Sequence, residues 1–220
     1  MTVSPFSARE VARIREALAG LVAGYGLDVE RIAALVGAPE GTLQRLMQGL
    51  ASPDESLAGR IDAFAFTMAL NSLQAWKARV SAGSGYEMLI DRTLTVIGVT
   101  GANAALGRRR TQGVLDPALF LGHKYNSLLP SLDCTLIETH GSGIDDLVPL
   151  GFFEGRIRCV RFCAEINAGP VTATGVHEIW PVETADEGIV GHAALHERNE
   201  MPRVLTAPGI HVHWREVVRA

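Results

Sequence analysis

The feature that most constrains this chain is the punctuation of residues 28–57, DVERIAALVGAPEGTLQRLMQGLASPDESL, where glycines at 37 and 49 close two short apolar runs. Ile32, Leu35 and Val36 recur at helical spacing after Asp28 and are expected to turn inward, and Leu43, Leu46 and Met47 do so after Pro39. Gly37 suits the left-handed conformation that ends many helices. Pro39 suits the first turn of the next helix, where its missing N–H does no harm. Upstream, Ser7 is an N-cap with Glu10 three residues on, followed by Val11, Ile14, Leu18, Leu21 and Val22 until Gly24 and Gly26 stop the pattern. A fourth helix is expected after Ser52-Pro53. Its apolar positions Leu57, Ile61, Phe64 and Phe66 continue through Met68, Leu70, Leu73 and Trp76 toward Val80.

At SAGSG, residues 81–85, glycine and β-branched residues take over. Strands are expected at 94–99, 156–166, 171–182, 188–196 and 210–218, with short helices at Asp116–Leu121 and Ile144–Leu150 in the long middle. Helices first, then one early strand, a loop-rich middle and consecutive antiparallel strands make an α+β chain. The expected organisation is a helical domain over 1–67, a helical linker over 68–87 and a sheet domain over 88–220.

The chain has 220 residues, 20 Lys and Arg against 24 Asp and Glu, and a formal net charge of −4. That balance excludes a surface that is basic throughout. Residues 1–80 carry eight bases (Arg9, Arg13, Arg15, Arg31, Arg45, Arg60, Lys77, Arg79) and eight acids, so any duplex binding rests on local placement of a few arginines and is weak per subunit. No apolar run approaches the roughly 18 residues of a membrane span, and MTVSPFSARE lacks a signal-peptide pattern. Cys134, Cys159 and Cys163 fit reduced thiols better than a disulfide framework. A cytoplasmic protein with no membrane partner is expected.

Two short helices joined by a glycine turn, the second with exposed polar residues, meet the requirements of a helix-turn-helix. With Leu43 and Leu46 inward, the outer face holds Glu40, Thr42, Gln44, Arg45 and Gln48, with Arg31 on the preceding helix. Gln pairs bidentately with adenine, Arg with guanine or phosphate, and Thr with phosphate or a thymine methyl. The stretch resembles the Cro and phage-repressor (XRE-type) family: Ile32-Ala33, Gly37, Thr42-Leu43-Gln44-Arg45, Gly49 and Pro53 through Leu57 and Ile61 fall in register with its pattern, with Pro39 in place of the usual Ser. The match covers residues 7–70. It implies double-stranded DNA as partner, read by Arg31, Glu40, Thr42, Gln44, Arg45 and Gln48.

From about residue 88 to 198 the order of elements resembles a PAS sensor domain. DRTLTVIGVTGANAALGRR matches its opening strand and the turn after it, with Asn103 in place. GHKYNSLLP (122–130) matches a central segment, and GFFEGRIRCVRF, HEIWPVET and GIVGHAALHE match three closing strands. The resemblance implies ligand sensing or dimerisation, and the helix over 68–80, apolar at Met68, Leu73 and Trp76, is the expected contact of a homodimer. His140 in IETHGSG sits near where a haem-binding PAS domain places its iron ligand, although a single His in a Gly-rich loop is more often a surface or hydrogen-bonding residue. No cofactor is required by the residues; haem or a small-molecule ligand is what the resemblance would bring.

Other polar residues point to no chemistry. His211 and His213 share a strand face as in cupin H-x-H motifs, but too little chain follows to complete a barrel, and an exposed face is the simpler account. Cys159 and Cys163 stand about 13 Å apart along a strand, and His177 and Glu178 point to opposite faces. Arg108-Arg109-Arg110 suits phosphate contact but reads more simply as a solvated loop. No nucleophile elbow, phosphate loop, zinc-protease or dinucleotide motif occurs, and no catalysis is expected. The expected function is a dimeric DNA-binding transcriptional regulator with a sensory C-terminal half. The alternative is an interaction module acting on another regulator or on RNA polymerase without touching DNA.

Overall fold

A computed structural model describes residues 6–100, 121–124, 136–137, 147–168, 171–197 and 209–220. The chain divides into two compact units, residues 1–75 with 185–187, and residues 76–184 with 188–220. The α+β class expected from the sequence is observed: helices first, then a sheet.

Helices α1 (Ala8–Tyr25), α2 (Val29–Val36), α3 (Thr42–Met47) and α4 (Glu55–Leu70) build the helical unit. Ser7 and Glu10 form a reciprocal capping box at the start of α1, and Ser7 holds the Glu10 carboxyl below the usual carboxylate range. Asp28 and Asp54 cap α2 and α4 by accepting from the N–H groups of Arg31 and Leu57. Helices of eight and six residues are too short to stand alone in water. They persist because Ile32, Ala33, Val36, Leu43 and Leu46 are buried together with Ile14, Leu18, Leu21, Leu57 and Ile61. A forked pair of hydrogen bonds from Arg13 to Asp62, 2.7 and 2.6 Å, ties α1 to α4 at the surface.

The structure departs from the sequence pattern at three points. Leu35, expected inward with Ile32 and Val36, is 57% exposed, because α2 buries only the stripe of Ile32, Ala33 and Val36. Pro39 lies outside α3: its carbonyl accepts from Thr42 N–H, and Gly41, at φ 69°, occupies the N-cap with no side-chain bond. A left-handed residue cannot continue a helix, so the turn runs to residue 41. The fourth helix does not reach Val80. It ends at Asn71, whose N–H donates back to the carbonyls of Thr67 and Met68, and α5 (Leu73–Ala82) starts afresh.

In the second unit, strands β1 (Tyr86–Ile90), β2 (Val96–Val99), β3 (Leu136–Ile137), β4 (Ile157–Ala168), β5 (Val171–Thr184), β6 (Gly188–Glu197) and β7 (Gly209–Arg219) form one sheet in the order β2-β1-β6-β5-β4-β7-β3. All described pairings are antiparallel except β3 with β7. The long strands start and stop within three residues of the expected limits. Strands β1 and β3 were not expected; β1 runs from the last residues of the stretch read as linker into the expected sheet domain, and β2 covers only part of 94–99. The turn between β1 and β2 is held by the Asp91 carboxylate, which accepts from the N–H groups of Thr93 and Thr95. One face of the sheet packs Ile90, Val160, Phe162, Ile179 and Ala193 against Leu147, Phe152 and Phe153.

Gly37 ends α2 at φ 64°, and a Cβ there would meet nothing within 4 Å. Gly37→Ala therefore costs backbone strain alone, about 1–2 kcal/mol. Urea denaturation of the full chain should show that loss, and Gly37→Asn should lose less.

Candidate nucleic-acid interface

Helix α3 places Leu43 and Leu46 fully in the core, and the same six-residue turn sends Gln44 and Arg45 into solvent. Gln48, at the C-cap, is exposed on the same side, one turn beyond Gln44. Thr42 is half-buried at the start of the helix, while Glu40 and Arg31 are exposed on the preceding turn and on α2. The six residues singled out in the sequence thus lie on neighbouring elements of one unit. Thr42 is the least accessible of them.

The surrounding contacts define what this surface can offer. Gln44 Nε2 donates to the Glu30 carboxylate of α2, fixing the amide against the turn. Arg15 donates to the Met47 carbonyl (2.8 Å), and Arg60 donates to the Val36 carbonyl and the Ser56 hydroxyl (2.6 Å each), so two arginines stabilise helix ends. The guanidinium groups of Arg31 and Arg45 make no hydrogen bond or ion pair among the described residues. A groove of about 180 Å³ runs between α2 and α3, lined by Ala33, Ala34, Ala38, Gly41 and Leu43, with Glu30, Glu40 and Gln44 at its rim. Glu30 was missed in the sequence because it lies 14 residues before Gln44 and on another helix.

The sheet unit holds a second polar cluster that the sequence did not reveal. His192 of β6 is 8% exposed, and its Nε2 lies 2.9 Å from Glu87 Oε2 of β1. The imidazole meets Trp180 of β5 edge-on at 4.6 Å between centroids, and Trp76 of α5 at 6.0 Å. The Arg79 guanidinium lies 4.0 Å over the Trp76 ring. Farther along the sheet, Arg161 pairs with Glu178 at 2.8 Å across β4 and β5, and His177 stacks on Phe162 at 4.6 Å. Glu178 pairs with Arg161 and His177 with Phe162, so the two side chains occupy opposite faces, as expected.

Cys159 and Cys163 form no disulfide, and burial pushes the Cys159 thiol up, which keeps it protonated at neutral pH. No group of three His, Cys, Asp or Glu among the described residues is placed to hold a metal ion. No helix among them is long and apolar enough to cross a membrane. Asn103, Arg108–Arg110, Cys134, His140, most of 122–130 and the helix expected at 116–121 lie outside the described residues. Of the helix expected at 144–150, the described part is a turn at 147–150. Residues 211 and 213 are described only as backbone of β7.

No family model matches the chain, and no curated protein matches it. Among solved structures, the PAS domain of BvgS from Bordetella pertussis aligns with a TM-score of 0.35 and 10% identity, covering 58% of this chain and 86% of that one.

The His192 cluster yields a direct test. His192→Ala removes a hydrogen-bond partner of Glu87 and the ring between two indoles, and should destabilise the protein by about 2 kcal/mol. His192→Gln, which retains a donor, should lose less. Thermal unfolding followed by tryptophan fluorescence reads both variants.

Proposed function

We propose that the chain is a dimeric, sequence-specific DNA-binding transcriptional regulator whose C-terminal half is a PAS-like sensory or dimerisation domain. One observation carries the proposal: α3 is anchored by Leu43 and Leu46 while Gln44, Arg45 and Gln48 face outward from it, next to a glycine turn. That is the division of labour a groove-reading helix needs, with donors and acceptors for base edges outside and the positioning contacts inside. Arg31 and Arg45 supply phosphate or guanine contacts, and Gln44 and Gln48 supply amide pairs for adenine. The short first hairpin and the three long antiparallel strands β4, β5 and β6 support the PAS-like reading of the second half.

The runner-up is an interaction module that docks on another regulator or on RNA polymerase. It is favoured by the carboxylates of Glu30 and Glu40 in the groove between α2 and α3, two acids on the segments that carry the two arginines. Selection of duplexes from a random pool, followed by anisotropy titrations at increasing salt, separates the two. Specific binding should fall steeply with salt. Gln44→Ala together with Arg45→Ala should weaken it by about 2–6 kcal/mol, the loss of two base-edge contacts, with folding unchanged. Equal retention of wild type and double variant, or no salt-dependent retention at all, would leave the interaction module as the answer.

A further inference from the structure

Helix α4 is apolar on two opposite sides. Leu57, Ala58 and Ile61 are buried, and Phe64, Ala65 and Met68 pack against them. On the reverse side, Gly59, Ala63, Phe66 and Leu70 follow one another at spacings of four, three and four residues, and all four are exposed. Phe66 is 66% and Leu70 48% exposed, and a Cβ placed on Gly59 would meet nothing within 4 Å. A surface helix of a globular protein sets charged and polar residues opposite its buried stripe, and a second apolar stripe in that place marks a further contact. Helix α4 carries such a second stripe.

We infer that this reverse face is the contact between two copies of the chain, packed antiparallel across a two-fold axis between Ala63 and Phe66. The stripe is complementary to itself, with small residues at one end and large ones at the other. Reversal of the partner helix sets Phe66 against Ala63 and Leu70 against Gly59, over a length of about 16 Å at 1.5 Å per residue. A two-fold contact also brings identical residues together, so it tolerates no unpaired charge near the axis. From residue 63 to residue 76 the sequence carries no charged side chain. The nearest charges are already engaged within their own chain: Asp62 with Arg13, and Arg60 with the Val36 carbonyl and Ser56. Glu55, on the same side of the helix, lies about 14 Å from the axis, beyond the roughly 8–10 Å over which salt leaves such charges interacting.

This surface differs from the expected dimer helix at 68–80. Met68 packs into the helical core, and Trp76 meets His192. The inference goes beyond the proposed function by assigning the dimer contact, and it holds whether or not the chain binds DNA.

Sedimentation equilibrium of the full chain over a wide concentration range tests it, alongside Phe66→Glu and Ala63→Lys. Both positions are exposed, so circular dichroism should report unchanged folding. The wild type should be a reversible dimer, and each variant should raise its dissociation constant at least roughly tenfold, Phe66→Glu by removing a large buried side chain from each subunit and Ala63→Lys by setting a desolvated charge beside the axis. A dimer that both variants leave intact would place the interface elsewhere and overturn the inference. So would a wild type that stays monomeric at every concentration, as when another segment of the same chain covers α4. Duplex titrations of the Gln44 and Arg45 double variant are read separately, so failure of the DNA reading and failure of this contact are distinguishable.

Discussion

The burial of two leucines, Leu43 and Leu46, is the contact on which the helical unit depends. Helix α3 has six residues, an uncapped start at Gly41 and an exposed end at Gln48, so local hydrogen bonding alone does not hold it. Its stability comes from the cluster around Ile14, Leu18, Leu21, Ile32 and Ile61, to which α1, α2 and α4 each contribute. The caps at Ser7, Asp28 and Asp54 then set where each neighbouring helix starts and therefore which side chains face inward. Packing decides that α3 exists; capping decides its surroundings.

Much of this was legible in the sequence because the signals are local. Apolar residues at helical spacing marked α1, α2 and α4, and Gly26 and Gly37 both take the left-handed conformation at helix ends. The four long strands showed themselves through their β-branched and aromatic content. What stayed hidden depended on partners far away in sequence. Strand β1, YEMLI, has Glu87 inside a short run, and its carboxylate finds His192 only 105 residues later. The gap between α4 and α5 is silent because the apolar positions continue through it, while the backbone turns at Asn71-Ser72.

The candidate site was legible to a similar degree. Buried Leu43 and Leu46 were separable from exposed Gln44, Arg45 and Gln48 because inward and outward positions alternate over one turn of helix. The tie from Gln44 to Glu30, and the use of Arg15 and Arg60 on backbone carbonyls, were not. A long cationic side chain reaches whatever acceptor the fold presents, and spacing along the chain does not encode that choice. Three-dimensional context thus divides the arginines of this unit between structural posts and solvent-facing heads.

Helix α3 keeps its anchors and its outward residues on separate positions within a single turn. Substitution at 44, 45 or 48 leaves the leucines in place, so chemical preference at the surface is free to drift while foldedness stays constant. A segment organised this way is a cassette, whose outer lettering can be rewritten without redesigning the body that carries it.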